Sequence, residues 1–323
     1  MLSPGWPLIL AYYAAALLWL TKRCAPAGQA ALAIVVGLIL AGPPVLARGA
    51  VPPPRPGWLR VVFLDVGQGD ATLVRLPDGD AMLVDAGGVA GTSFDIGERV
   101  VAPALRALGV WRLDTLVLTH GDPDHIGGAP TILRRFRPIS VWEGVPVPPH
   151  VKLREVEEAV GLAGAAWRDV QSGDRERRGA VEIRVLHPPS PDWERQRVRN
   201  DDSIVLELRL GDVSVILPGD VGAEGERAVI PRLAPARLSV LKAPHHGSLT
   251  SSTPAFIAAV RPAAVIFSAG RDNRFGHPAP AVVDRYRTAG AAIFRTDRDG
   301  AIVLDTDGRS ILFSHQWGHS PLR

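Results

Sequence analysis

The sequence predicts an α/β domain preceded by a hydrophobic helical hairpin, and three observations carry that expectation. From Trp58 onward, short runs rich in Val, Ile and Leu, such as "LRVVFLDV", "AMLVDA" and "DTLVLTH", alternate with stretches of helical apolar spacing. Many of these runs end in Asp or His, and open α/β sheets collect ligands at such strand ends. Finally, residues 1–20 and 29–47 carry no charge at all.

Composition sets the outer bounds. With 323 residues, 46% of them hydrophobic and 21% charged, the chain has material for one large core plus an appendage. A net charge of +3 and a pI near 9.4 permit a polyanionic partner without requiring one. Cys24 is the single cysteine, which excludes an internal disulfide framework and a cysteine-based metal site. Any metal must be held by His and carboxylates.

Taken in order, residues 1–47 read as two transmembrane helices, each close to the ~20 residues that a bilayer demands. A signal peptide would need a basic start, which "MLSPGWPLIL" lacks, and a second apolar run follows. Lys22 and Arg23 favour the cytoplasmic side for the intervening turn, and so the outside for the main domain, while Arg48, Arg55 and Arg60 pull the other way. Residues 48–58 form a proline-stiffened linker, 59–308 the α/β domain and 309–323 a C-terminal tail. Within the domain, "ATLVRL", "VEIRVLHP", "SIVLELRL", "VSVILPGD", "LSVLKAPHH", "AAVIFSA", "AAIFRT" and "AIVLDT" are further strands. Helices are expected over "DIGERVVAPALRAL" and "APTILRRF", and near 224–233, 254–260 and 280–288.

The chemistry concentrates in "VLTHGDPDHIGG", residues 117–128. His120 and Asp122 fall on one side of a tight loop and Asp124 and His125 on the other, so each pair suits one ion of a binuclear centre. Asp85, Asp220 and the pair His245/His246 also follow strands. Singly they read as a turn carboxylate, a helix cap and exposed loop residues. Together they fall in one strand-end register. Asp220 is then the candidate bridging carboxylate between two divalent ions roughly 3.5 to 4 Å apart.

The set "FLDVGQGDATLV", "LVDAGG", "LTHGDPDHIGG", "NDDSIVLEL", "LPGD", "LKAPHHGS" and "NRFGHP" resembles, in order and spacing, the metallo-β-lactamase-fold domain of the ComEC competence family. The two apolar segments are similar to the last membrane spans before that domain. The resemblance implies a four-layer αβ/βα sandwich with a metal site at one edge, in a bacterial cell membrane. It implies His120, Asp122, Asp124, His125 and Asp220 as ligands, with one of His245 or His246 as the last. Histidine directly before glycine favours His246, leaving His245 to support it. Asp85 corresponds to the carboxylate that orients the ligand loop from behind. The usual further histidine is absent from "RNDDSIV", and His187 in "VLHPPS" is read as structural. The oxygen-rich first shell shifts the preferred ion from Zn²⁺ toward Mn²⁺, with Mg²⁺ also accommodated.

The resemblance further implies a nuclease in DNA uptake, with DNA, the membrane and other channel components as partners. Asp124 can take the proton of the attacking water, and His277 can contact substrate or leaving group, with His245 nearby. Gln68, Asp70, Asn200, Asp201, Lys242, Ser248 and Arg274 are candidates for support or substrate contact, and Asp202 and Arg271 neighbour them. Arg175, Arg177, Arg178, Arg195, Arg197 and Arg199 could track a nucleic-acid backbone. Two alternatives remain open: a phosphodiesterase for a surface phosphodiester such as phosphorylcholine, and a non-catalytic module that guides DNA. Hydrolysis of β-lactams is disfavoured by the histidine-poor first site.

Overall fold

The computed structural model describes residues 52–89, 91, 94–144, 151–190, 200–315 and 318–322, together with 13 and 30. The two expected spans within 1–47 therefore lie outside the described residues, apart from those two helical positions. Among the described residues, no helix is long and apolar enough to cross a membrane. Residues 53–323 form one compact unit.

Two mixed sheets build that unit. The chain lays down β1 (Leu59–Phe63), β2 (Thr72–Arg75), β3 (Ala81–Val84), β4 (Thr115–Leu118), β5 (Ser140–Glu143) and β6 (Ala166–Asp169) in the first sheet. It then forms the second sheet from β7 (Arg175–Arg178), β8 (Val181–His187), β9 (Val205–Leu210), β10 (Val213–Leu217), β11 (Leu238–Lys242), β12 (Ala264–Phe267) and β13 (Ala292–Arg295). Strands β14 (Ile302–Thr306), β15 (Ile311–His315) and β16 (Gly318–Leu322) return to the first sheet beside β1. Strands β3 to β6 run parallel, as do β10 to β13. The remaining pairings are antiparallel.

Strands covered on both faces need apolar residues throughout, and β1 obeys this: all five of its residues are buried. Val61, Phe63, Val74 and Val117 of the first sheet meet Val215, Val240 and Ile266 of the second in one core between the sheets. Arg60 is the exception in β1, and it is neutralised across the sheet by Asp305 at 2.6 and 2.8 Å. On the outer face of the second sheet, Ile216, Leu241 and Phe267 pack with Phe256, Val282 and Tyr286 from the helices Pro254–Val260 and Pro280–Thr288. Each such buried side chain contributes about 1.5–3 kcal/mol. The result is an α/β sandwich with two mixed sheets.

One boundary needs correction. Residues 309–323 are expected as a tail, yet β15 pairs antiparallel with β14 and sends Ile311 and Phe313 into the inter-sheet core. The turn between them is tied by Asp307, whose Oδ1 accepts from the amides of Arg309 and Ser310. The alternation in "ILFSH" is a strand signal, with Leu312 facing outward at 36% exposure.

Parallel strands bring their C-terminal ends to one edge. Asp85 follows β3, Thr119 and His120 follow β4, Asp220 follows β10, His246 follows β11 and Ser268 follows β12.

Candidate metal centre

The ligand loop leaves β4 and turns at once into a single helical turn, Pro123–Ile126. Asp122 is extended (φ −73°, ψ 144°) at its N-cap, and Pro123 starts the turn with φ already suited to a helix. This places the rings of His120 and His125 4.2 Å apart. A second strand-end turn supplies His246. His245, His246 and Gly247 are all left-handed (φ 50°, 53° and 82°), a strained run for two non-glycine residues. It turns both imidazoles toward Asp220.

The loop sits where it does because two glycine pairs let backbones touch. A Cβ on Gly88 would lie 1.8 Å from the carbonyl oxygen of Pro123, and one on Gly127 would lie 2.9 Å from the Cα of Gly88. The "AGG" and "IGG" runs are thus a close contact between the β3 end and the ligand loop.

Each histidine is anchored through Nδ1, which leaves Nε2 for the centre. His246 Nδ1–H donates to the carbonyl of Ser268 at 2.9 Å. Nδ1 of His125 lies 2.7 Å from Asp85 Oδ2. Thr119 Oγ1 donates to the same carboxylate oxygen at 2.7 Å and lies 3.1 Å from His120 Nδ1, which it accepts from. Asp85 also receives the amide of Thr119 at 2.8 Å, so one carboxylate orders both histidines of the loop.

In front of these anchors the ligand atoms converge. Asp220 Oδ2 is 3.3 Å from Nε2 of both His125 and His246, and Asp124 Oδ2 is 3.4 Å from His246 Nε2. Asp122 Oδ2 lies 3.6 Å from His120 Nε2 on the other side. One ligand atom each from Asp70, His125, Asp220 and His246 falls within 4.8 Å of all the others, and all four residues are buried. Nε2 of His120, His125 and His246 and Oδ1 of Asp220 are buried without a hydrogen-bond partner. Buried polar atoms are rarely left so, and cations held among these residues would satisfy them. The residues therefore fit a metal.

The charges agree. Burial opposes ionisation of Asp220, but His246 and His125 hold it well below the carboxylate range. Asp124 is lowered to about 2, against its burial, chiefly by the His246 side chain. Burial disfavours a charged His246, yet Asp220 and Asp70 push it up to about 10. The His125 imidazole is likewise raised despite full burial, by Asp220 and Asp85. Such crowded carboxylates favour positive charge among them.

The supporting residues divide into those that meet the centre and those that do not. Asp70, expected as a more distant support, is inside the cluster: it pairs with the buried Lys242 and lies 3.7 and 3.8 Å behind the Nδ1 atoms of His246 and His125. Lys242 also reaches to 4.0 Å from Asp220 Oδ1. Gln68 fixes the neighbouring loop by accepting the amide of Gly270. Asn200 Nδ2 donates to Nε2 of His245 at 3.1 Å, and Thr250 Oγ1 lies 3.3 Å from its Nδ1. Both His245 nitrogens are therefore engaged, which fits the expected support of His246 and leaves neither nitrogen free. Ser248 acts at one remove, through Thr250 at 3.0 Å.

Asp201, expected as a support or a substrate contact, accepts the amides of Gly222 and Gly225 at 2.8 and 2.9 Å and so caps the helix Ala223–Val229 that follows Asp220. His187 is structural: its Nδ1–H donates to Ser203 carbonyl at 3.0 Å, and the Ser203 hydroxyl accepts the amide of Asp220. Of the arginines, Arg178 is held by Glu176 and Asp80, and Arg175 lies 3.5 Å from Glu182. Arg195, Arg197 and Arg199 lie outside the described residues.

His277 sits at the mouth, with ring centroids 5.8 Å from His245 and 6.4 Å from His246. Burial, followed by the charges of His246 and His245, lowers it to about 4, so it is neutral near pH 7. Arg274 stands over the ring of Phe275 at 4.8 Å. Thr119, Thr250, Ser268 and Phe275 carry no sequence signal of their own, because each acts only through neighbours that the fold brings up.

Residues 64–271 match the model of the metallo-beta-lactamase superfamily. ComE operon protein 3 of Bacillus subtilis is 34% identical over 267 residues, covering 79% of this chain and 34% of that protein. Competence protein ComA of Neisseria gonorrhoeae is 32% identical over 298 residues, covering 92% and 38%. Recombination protein 2 of Haemophilus influenzae is 31% identical over 251 residues, covering 78% and 29%. The chain thus spans about a third of the length of these curated relatives. Among solved structures, the E377D mutant of CmlA beta-hydroxylase shares the fold, with a TM-score of 0.50 at 16% identity over 79% of this chain and 55% of that one. By its matched residues and its strand-end cluster of His and Asp, the chain belongs to the metallo-β-lactamase superfamily, with competence proteins of the ComEC type among its relatives.

Proposed function

We propose that the protein is a membrane-tethered, metal-dependent phosphodiesterase that cleaves DNA during competence-related DNA uptake. The observation that carries this reading is a set of buried atoms without hydrogen-bond partners, three imidazole Nε2 and one Asp220 oxygen, beside a cluster in which ligand atoms of Asp70, His125, Asp220 and His246 lie within 4.8 Å of one another. His120, Asp122 and Asp220 would hold one divalent ion, and Asp124, His125, His246 and the shared Asp220 a second. The carboxylate-rich set favours Mn²⁺, with Zn²⁺ next and Mg²⁺ accommodated. When bound, two such ions supply a nucleophile from water at neutral pH and neutralise phosphate charge.

The protein's own groups have separate tasks. Asp124 stays ionised and is 31% exposed, so it is placed to receive the proton of the attacking water. Neutral His277 offers an N–H to the leaving oxygen. Lys242 offsets the charge of Asp70 below the centre. One relative is named a competence protein, which supports the competence context, and DNA backbone, membrane and channel components are the proposed partners.

The test is a metal-by-metal assay of the purified chain with single- and double-stranded DNA. Mn²⁺-stimulated cleavage that is lost in Asp124→Ala is the expected result. DNA left intact under every divalent ion, with metal bound, overturns the reading.

A further inference from the structure

A loop beside the centre is built more firmly than its surface position requires. Residues 271–278 fold around Asn273, whose Oδ1 accepts the amides of Phe275 and His277 at 3.2 and 3.0 Å. Its Nδ2 donates to the carbonyls of Gly270 and His277 at 2.8 and 2.5 Å. What these four bonds hold up is Phe275, 53% exposed. A single exposed phenylalanine is ordinary. This one, however, is aligned. Its ring lies 5.8 Å from that of His277 at 23°, and His277 lies 6.4 Å from His246 at 24°. Three near-parallel rings thus lead from solvent to the metal centre, and the exposed Arg274 guanidinium rests over the outermost at 4.8 Å.

We propose that Phe275 is a stacking platform for a nucleobase of a single strand, next to the phosphodiester that enters the centre; this rests on the phosphodiesterase reading above. A planar cation already occupies the ring. A base takes the same place, and Arg274, on its flexible stem, turns to the neighbouring phosphate. Every base has a π-face, so the platform holds a strand without reading its sequence. A base inside a duplex has no free face to offer. The site therefore selects an unpaired strand.

The test uses the full chain loaded with Mn²⁺ and a cleavage-resistant phosphorothioate strand of about 12 nucleotides, read by fluorescence anisotropy. Phe275→Ala is expected to weaken binding about tenfold, whereas Phe275→Trp retains it. Replacing the bases with abasic sites weakens the wild type by a similar factor and leaves Phe275→Ala unchanged. Equal affinity of wild type and Phe275→Ala for the base-bearing strand overturns the platform alone. No binding of any strand by the wild type, with no cleavage of ordinary DNA, overturns the phosphodiesterase reading and the platform with it.

Discussion

Asp85 Oδ2 stands 2.7 Å from Nδ1 of His125 and so decides which nitrogen of that imidazole faces the metal centre. Asp85 is left-handed (φ 60°), a conformation that Asn tolerates and most residues do not. Asp85→Asn therefore keeps the backbone and removes the charge, and its amide can reverse the tautomer of His125. Metal affinity should fall about 10- to 100-fold, measured by calorimetric titration with Mn²⁺. Unchanged affinity would show that the carboxylate does not orient the ligand.

Asp70 and Lys242 form a buried ion pair beneath the same centre, each side chain 3% exposed. Burial opposes the Lys242 charge, and Asp70, then Asp220, sustain it. Removing one partner leaves the other uncompensated in a low-dielectric site. Lys242→Met should cost about 3–5 kcal/mol in urea denaturation. The double variant Lys242→Met with Asp70→Asn should recover most of that loss. Additive losses in the double variant would argue that the two do not act as a pair.

Much of this architecture is legible in the residues. The helices 129–136, 254–260 and 280–288 coincide with their apolar spacing because each turns a clear face inward, as Phe256 and Ile257 do beside exposed Ala255. The ligand loop is legible because His and Asp crowd into six positions. Asp70 is less so: "GQGD" looks like a turn, and only the fold brings Lys242, some 170 residues later, against it. Asp201 is ambiguous for a similar reason. A carboxylate near a site and a carboxylate capping a helix look alike until the amides of Gly222 and Gly225 are in place.

The capping contacts of Asp201 separate stability from catalysis. Loss of a capping carboxylate costs about 1 kcal/mol, within a range of roughly 0.5–2. Asp201→Ala should thus lower the denaturation midpoint while leaving the KM for DNA unchanged. A raised KM at undiminished stability would return Asp201 to the substrate.

Glu143, at the end of β5, gives stability an unusual pH dependence. Burial, and then the charges of Asp169 and Glu157, push its carboxyl from 4.5 up to about 8. In the window between those values the folded protein binds a proton that the unfolded chain has released. Stability therefore falls as pH rises through the window, and the penalty is complete above about 8. Glu143→Gln removes the titration while keeping the shape of the protonated acid. Because the group is partly solvent-accessible, the expected gain above the window is only about 1–2 kcal/mol, or about 2–6 °C in Tm. Near pH 5 the variant and the wild type should melt together. An equal gain at both pH values would mean that the substitution acts by packing and that Glu143 is ionised throughout.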